Sequence, residues 1–203
     1  MSDRDSSDAL AELMRQQEVG EVDVRWIGEK STSYLETPRV ATRIAEVHPG
    51  AQVFVILRDP VSRAISNYLF SVANGLENLA AKDALTQEAE SRRWDKEKVS
   101  VSPYRYLGRG RYWDLLMPWL EVFPNLQVLV LEEVLAAPHE HLGSVASSMG
   151  FRVGDFANFG RDNAGSQEPV LLDPEVEDAL VSYFRSPNRA LFEALGREVP
   201  AWR

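Results

Sequence analysis

Two clusters of polar residues in this chain could bind and activate an anionic substrate. Glu29 and Lys30 follow a partly alternating run at residues 22–28, and Arg58 follows an apolar run at residues 53–57. Both runs suit strands of a parallel sheet, in which ligands bind beyond the carboxyl ends of the strands. If the two strands are neighbours, a carboxylate, an ammonium and a guanidinium converge on one crevice.

The cluster at Arg58 has the features of a phosphate site. Arg58 leaves its strand beside a predicted helix N-terminus, where free backbone N–H groups and the helix dipole favour an anion. Ser62 and Ser66 are four residues apart, so both hydroxyls can lie on one helix face with Arg63 beside them. The alternative is structural: Arg58 forms an ion pair at the end of the sheet, and the serines are solvated.

Glu29 also has two interpretations. A carboxylate at a strand end that faces a crevice can act as the general base for a substrate hydroxyl or amine. It can equally pair with Lys30 or with a neighbouring arginine, which would give it no catalytic role.

A third cluster, at residues 104–113, combines arginines with aromatic residues and contains no acid. Such a mixture suits stacking on a sugar or an adenine, with arginine contacting an anion. We therefore expect Arg105, Arg109, Arg111 and Tyr112 to bind substrate. The alternative is a helix entry in which the aromatic rings pack inward.

The elements that would position these clusters alternate between strands and helices. The patterns predict strands at residues 22–28, 53–57 and 126–131, helices at 37–47, 59–75 and 111–123, and two C-terminal helices, one from Asp173 and one from near Ser186 to Gly196. Strand, helix and strand in succession imply a right-handed crossover and a parallel sheet. The predicted fold class is α/β, a three-layer sandwich with a central parallel sheet. An acidic segment at residues 1–21 precedes one domain at residues 22–203.

The composition limits the class of function. The 203 residues contain 22 Lys and Arg and 31 Asp and Glu, so the net charge is −9. Such a chain (pI ≈ 4.9) lacks the basic face that binding to nucleic acid or to an anionic membrane requires. The absence of cysteine excludes disulfides and thiolate chemistry, and with three histidines no metal site is expected. No signal peptide or membrane-spanning pattern is visible, so the expected location is the cytoplasm.

The motifs resemble those of the sulfotransferase family. The resemblance rests on Gly-Glu-Lys-Ser-Thr-Ser-Tyr-Leu at residues 28–35, on Pro38, and on Val-Phe-Val-Ile-Leu-Arg-Asp-Pro-Val-Ser-Arg-Ala-Ile-Ser-Asn-Tyr at residues 53–68. It continues in Gly-Arg-Tyr at 110–112, Trp-Leu at 119–120, Phe-Pro at 123–124 and Leu-Glu-Glu at 131–133. The more similar branch is the carbohydrate one, with the heparan sulfate N- and O-sulfotransferases and their bacterial relatives. The resemblance covers residues 22–203.

The resemblance implies a P-loop-NTPase-like sulfotransferase fold and the donor 3′-phosphoadenosine 5′-phosphosulfate (PAPS), with no metal. It implies that Arg58 and Ser66 bind the 3′-phosphate of this donor, and we add Ser62 and Arg63 as neighbours on the same helix. Arg161 stands in a polar loop, in the region where the family closes over the nucleotide, and is expected to contact the donor.

The resemblance also implies the chemistry. Glu29 would be the general base and Lys30 its electrostatic partner, in an in-line transfer of a sulfuryl group to a hydroxyl or amine of a sugar or small metabolite. The net charge favours a neutral acceptor over a long polyanion. The alternative function is a non-catalytic nucleotide-binding or scaffold module that has lost transfer activity.

One motif of the family has no counterpart before Glu29. In the family, a Lys-x-Gly-Thr/Ser-Thr/Ser loop wraps the 5′-phosphosulfate, and its lysine stabilises charge on the bridging oxygen. Residues 1–21 contain Gly20 but no lysine. We therefore expect the first strand and its phosphate loop to be missing. Three explanations stay open: an N-terminally shortened active enzyme, a natural remnant with weak or no activity, or a homodimer whose partner chain supplies the loop.

Overall fold

The computed structural model describes residues 27–95, 102–150 and 172–202. The elements in chain order are a 3₁₀ turn at Tyr34–Glu36, α1 at Pro38–Val47, β1 at Phe54–Leu57, α2 at Pro60–Ala73, α3 at Ala81–Ala84, 3₁₀ turns at Glu88–Ser91 and Gly108–Gly110, α4 at Tyr112–Val122, β2 at Gln127–Val130, α5 at Leu131–Ala136, α6 at Pro138–Ser148 and α7 at Pro174–Leu195. The predicted acidic segment at residues 1–21 lies outside the described residues.

The two strands form a parallel pair, in which Leu57 lies opposite Val130. Continuous apolar runs are typical of buried parallel strands, and the predicted strands at residues 53–57 and 126–131 are confirmed. The α/β class with a central parallel sheet is confirmed with them. Most of the predicted strand at residues 22–28 lies outside the described part of the chain, and its last two residues, which are described, are not in a strand.

One hydrophobic core covers one face of this strand pair. Leu57 and Val130 point into it and pack with Leu116 and Trp119 of α4. The other buried members are Ala41, Tyr112, Phe123, Leu126, Leu191, Val199 and Trp202. Because side chains alternate between the faces of a strand, the opposite face carries Ile56, which is 57% exposed.

A second core packs α2 against the first half of α7. Val61, Ala64 and Tyr68 of α2 belong to the same buried cluster as Leu180 and Phe184 of α7. The second half of α7 contributes to the first core. This helix therefore joins the sheet to α2, the helix that follows Arg58 and carries the serines of the candidate site.

The sequence predicted two C-terminal helices, and this prediction is wrong. α7 is one 22-residue helix that continues through Pro187, which has no N–H to donate to the carbonyl of Tyr183. Such a proline costs about 3 kcal/mol, but buried side chains recur at helical spacing on both sides of it. Each fully buried apolar side chain contributes about 1.5–3 kcal/mol, so their burial outweighs the cost. The helix ends at Gly196, whose φ of 66° is left-handed.

A buried carboxylate organises the segment between α2 and α4. Glu77 accepts two hydrogen bonds from the Arg92 guanidinium, at 2.9 and 2.7 Å, and one from the Tyr106 hydroxyl at 2.9 Å. The Arg92 guanidinium also stacks over the Tyr104 ring, 3.6 Å from its centroid. Opposite charge and hydrogen bonds compensate the burial of Glu77, and this network anchors the basic and aromatic segment at residues 104–113.

Candidate functional site

The candidate site lies where the two parallel strands end. Because Leu57 pairs with Val130, both carboxyl ends reach the same edge of the sheet. Arg58 follows β1 at this edge, and Glu132 lies two residues beyond β2. The Arg58 side chain is half-buried, and it forms no ion pair with any residue in the described ranges. A guanidinium in this state can bind an anionic ligand.

The helix start after Arg58 is as predicted, but one of its N–H groups, that of Val61, is already used. Asp59 caps α2: its carboxylate accepts hydrogen bonds from the Val61 N–H at 2.9 Å and from the Ser62 hydroxyl at 3.0 Å. The Asp59 N–H donates to the Glu132 carboxylate at 2.9 Å. The expectation of free N–H groups for a bound anion is therefore wrong at Val61, because the capping carboxylate competes for the same donor.

The predicted donor-binding residues on α2 point in different directions. Ser66 is exposed on the surface of the helix and can donate to a ligand. Arg63 instead donates to the backbone carbonyl of Tyr106, and burial lowers the pKa of its guanidinium. Of the predicted cluster on this helix, Ser66 remains open to a ligand, while Ser62 and Arg63 hold protein groups.

The predicted catalytic pair lies in an exposed segment before the first 3₁₀ turn. Glu29 and Lys30 are both exposed. The Glu29 carboxylate accepts a hydrogen bond from the Tyr34 hydroxyl, and this bond raises the pKa of Tyr34. A carboxylate at the surface, oriented by a tyrosine hydroxyl, is accessible to an acceptor proton.

One of the predicted substrate-binding arginines, Arg109, connects this segment to α2 through Glu36, and a second, Arg105, pairs with the same carboxylate. The Arg109 Nε donates to Glu36 at 2.7 Å, and its Nη1 donates to Asn67 of α2 at 3.1 Å. Arg105 pairs with the same Glu36 carboxylate at 3.5 Å. Glu36 closes the 3₁₀ turn that follows Glu29. These contacts fix the turn after Glu29 to the helix that carries Ser66.

Tyr112 lies behind the site rather than on its surface. The residue is 4% exposed, and its hydroxyl donates to the backbone carbonyl of Arg58 at 2.7 Å. Burial raises the pKa of Tyr112 to about 12. Tyr112 thus holds the turn that carries Arg58, and it offers no surface on which an acceptor could stack.

Arg111 faces a separate recess between the start of α4 and the middle of α7. It pairs with Asp114 at 2.6 Å, and its pKa is raised by hydrogen bonds to Tyr183 and Asp114. The recess has a volume of about 270 Å³ and is lined by Arg111, Trp113, Asp114, Tyr183, Ser186, Pro187 and Ala190. Aromatic rings beside polar groups are suited to a hydroxylated ring.

Arg161, the last predicted donor-binding residue, lies outside the described residues. Within the described ranges, no cluster of three or more acidic or histidine side chains is arranged to hold a metal ion. In the same ranges, no helix has both the length and the apolar surface needed to cross a bilayer.

Glu132 is part of the Leu-Glu-Glu motif at residues 131–133, but no role at the site was predicted for it. This residue reaches the backbone of the Arg58 turn across 73 positions of sequence. The rule that selected Arg58 could have found it, because polar residues after the second strand of a parallel pair reach the same edge. The 3₁₀ turn that contains Glu36 was not predicted from the sequence, so the interactions of Glu36 were not predicted either.

Known proteins with similar sequences are sulfotransferases. The chain is 20% identical to the membrane-associated sulfotransferase kil1 of Dictyostelium discoideum over 85% of this chain and 52% of that protein. It is 25% identical to the bifunctional heparan sulfate N-deacetylase/N-sulfotransferase 2 of Bos taurus over 86% of this chain and 22% of the relative. With the heparan sulfate glucosamine 3-O-sulfotransferase 3B1 of Mus musculus it shares 28% identity over 61% of this chain and 31% of the relative. The chain thus spans about half or less of each of these relatives.

The fold comparison agrees with the sequence comparison. A sulfotransferase from Alicyclobacillus acidocaldarius superimposes with a TM-score of 0.75 and 26% identity, over 98% of this chain and 74% of that one. No protein-family model matches the chain. The chain has the sulfotransferase fold, and its resemblance to sulfotransferases in sequence is confirmed.

Proposed function

We propose that this protein transfers a sulfuryl group from PAPS to a hydroxyl or amine of a sugar or small-metabolite acceptor. Arg58 and Ser66 bind the 3′-phosphate of the donor, and Glu29 accepts the acceptor proton with Lys30 balancing its charge. A bond forms between sulfur and the acceptor oxygen or nitrogen, the bond from sulfur to the phosphate oxygen breaks, and adenosine 3′,5′-bisphosphate leaves. PAPS is the general donor of sulfotransferases, to which the fold and sequence relate this chain.

The state of Arg58 is the observation that carries the proposal. This guanidinium lies at the carboxyl edge of the parallel strands, half-buried, and no described residue neutralises it. A cation without an internal counter-ion at a ligand-binding edge favours an external anion. Ser66, one turn beyond Ser62 on α2, is exposed and supplies a second donor.

The position of Glu29 supports its role as base. A general base must reach the proton that it removes, directly or through one water, and Glu29 is exposed. The Tyr34 hydroxyl donates to one of its oxygens, which leaves the other oxygen for the acceptor. Glu36, in the same segment, accepts a hydrogen bond from Arg109, and Arg109 also donates to Asn67 of α2. This chain of contacts would keep the base and the 3′-phosphate site in a fixed relation.

The charges favour a neutral acceptor. Arg105 and Arg109 share the Glu36 carboxylate, and Arg111 pairs with Asp114. Paired arginines attract a polyanion weakly, and the chain carries a net charge of −9. A neutral sugar or small hydroxylated metabolite is therefore the acceptor that we propose. The proposal includes the cytoplasmic location, and it keeps as one of three alternatives a homodimer whose partner chain supplies the loop that binds the 5′-phosphosulfate.

Calorimetric titration with adenosine 3′,5′-bisphosphate tests the donor site. We expect Arg58→Ala to weaken binding by about tenfold or more, because the guanidinium supplies charge-assisted hydrogen bonds. Arg39→Ala, at an exposed arginine on α1, is the matched control and should bind like the wild type. Absence of binding by the wild-type protein would refute the proposal.

Transfer is tested with ³⁵S-labelled donor and a panel of sugars and hydroxylated metabolites. We expect Glu29→Gln to reduce the transfer rate by about 10²–10⁴-fold while leaving bisphosphate binding unchanged. Binding of the bisphosphate by the wild type without transfer to any acceptor would favour the non-catalytic module.

A further inference from the structure

The turn that carries Arg58 is held on both sides by side chains that are remote in sequence. The Tyr112 hydroxyl donates to the Arg58 carbonyl at 2.7 Å. The next peptide N–H, that of Asp59, donates to Glu132 Oε1 at 2.9 Å. The carbonyl and the N–H of successive residues are thus both fixed. Together they set the direction in which the Arg58 side chain leaves the backbone.

Glu132 is itself fixed by the end of the chain. Its second oxygen, Oε2, accepts a hydrogen bond from the indole N–H of Trp202 at 3.0 Å. The Trp202 ring is buried against Tyr112, with centroids 5.6 Å apart. Each Glu132 oxygen therefore has a protein donor, and the two residues that hold the turn also contact each other through Trp202.

The charge of Glu132 argues against a role in binding the anion directly. A carboxylate beside a phosphate site repels the phosphate, and the Asp59 carboxylate already adds one negative charge there. Within the described ranges, Glu132 forms no ion pair with a cation. The carboxylate instead connects two parts of the protein, because one of its oxygens accepts from the Asp59 N–H and the other from Trp202.

We propose that Glu132 is a positioning residue for the donor site, which holds the turn after β1 so that Arg58 points at the 3′-phosphate, and that Trp202 fixes Glu132 in this role. The inference rests on the proposed binding of the 3′-phosphate by Arg58. Without the hydrogen bonds of Glu132, the Arg58 guanidinium is still present but can adopt other directions. The contribution of the 3′-phosphate to binding then falls, while contacts to the rest of the nucleotide persist.

The test compares two ligands that differ only in that phosphate, adenosine 3′,5′-bisphosphate and adenosine 5′-monophosphate. The dissociation constant of the monophosphate divided by that of the bisphosphate, both measured by calorimetry, reports the 3′-phosphate contribution. We expect Glu132→Ala to reduce this ratio by about tenfold, the worth of one hydrogen bond to a charged group. Trp202→Phe keeps an aromatic ring in the first core but removes the indole N–H, and should also reduce the ratio.

The matched control is Glu133→Ala. Glu133 is the next carboxylate in the chain, and it pairs at the surface with Arg197 at 2.6 and 2.8 Å. This variant should keep the wild-type ratio. General loosening of the fold would weaken the binding of both ligands alike and leave the ratio unchanged. An unchanged ratio in both Glu132→Ala and Trp202→Phe would therefore overturn the proposal that Glu132 positions Arg58. If Glu132→Ala does not fold, Trp202→Phe alone decides. A wild type that does not prefer the bisphosphate overturns the proposed function itself.

Discussion

Gly110 is the position where the smallest possible substitution should have a large effect. It ends the 3₁₀ turn before α4 and lies between the second core and the start of α2. A Cβ added there would lie 2.5 and 2.7 Å from the Cε1 and Cζ atoms of Phe184 and 3.0 Å from the Cβ of Pro60. Gly110→Ala therefore places a methyl group against a fully buried ring and against the residue that begins α2.

The magnitude follows from these contacts. Carbon atoms pack best at about 3.5–4.0 Å, so the ring must move by about 1 Å or more. Phe184 is 0% exposed, so its ring can move only by displacing the close-packed side chains around it. Overpacking of this kind costs about 1–3 kcal/mol. For a chain of this length, that loss corresponds to a decrease in Tm of about 2–12 °C.

Urea denaturation followed by circular dichroism measures the free energy of unfolding. The matched control is Gly50→Ala, where a Cβ would meet nothing within 4 Å, and its cost should stay within about 0.5 kcal/mol. In a Phe184→Leu background the clash is relieved, so Gly110→Ala should cost less there, with a coupling energy of about 0.5–3 kcal/mol. Equal stability of Gly110→Ala and Gly50→Ala would refute the reasoning, and so would strict additivity with Phe184→Leu.

Two further changes test the cores and the buried charge. Glu77→Gln removes the charge that Arg92 pairs with and should cost about 1.5–3 kcal/mol in urea denaturation. Burial raises the pKa of Glu77, but the hydrogen bonds from Arg92, two backbone N–H groups and Tyr106 outweigh it, so the pKa is lowered from 4.5. The unfolded chain therefore binds this proton more tightly than the folded chain does. The stabilisation that the Glu77 charge contributes is fully present above pH 4.5 and is lost as the pH falls through the folded pKa. Glu77→Gln should lack this part of the loss of stability in acid. Leu116→Ala, at a residue 1% exposed, should cost about 2–5 kcal/mol, whereas Met117→Ala, at a residue 46% exposed on the same helix, should cost less than about 0.5 kcal/mol. Identical acid profiles of the wild type and Glu77→Gln, or similar costs at positions 116 and 117, would contradict these expectations.

Local patterns predicted the elements that local interactions determine. The apolar run at residues 53–57 and the Asp–Pro pair after it gave the strand and the helix start that the structure has. The proline at position 187 predicted a helix break that does not occur, because buried side chains on both sides of Pro187 outweigh one lost hydrogen bond. The contacts of Glu36 with Arg105 and Arg109 join positions 69 and 73 residues apart, and no local pattern contains such information.

The start of α2 shows how a correct element prediction can carry a wrong chemical one. Asp59 predicted the helix because a carboxylate at that position accepts the first free N–H groups of a helix. That same bond, from the Val61 N–H at 2.9 Å, occupies a donor that the sequence argument had assigned to a bound anion. The capping charge also opposes the favourable end of the helix dipole. In the proposed function, binding of the 3′-phosphate should therefore depend more on the Arg58 guanidinium and the Ser66 hydroxyl than on the helix terminus, and the direction in which the backbone aims Arg58 should decide how strong that binding is.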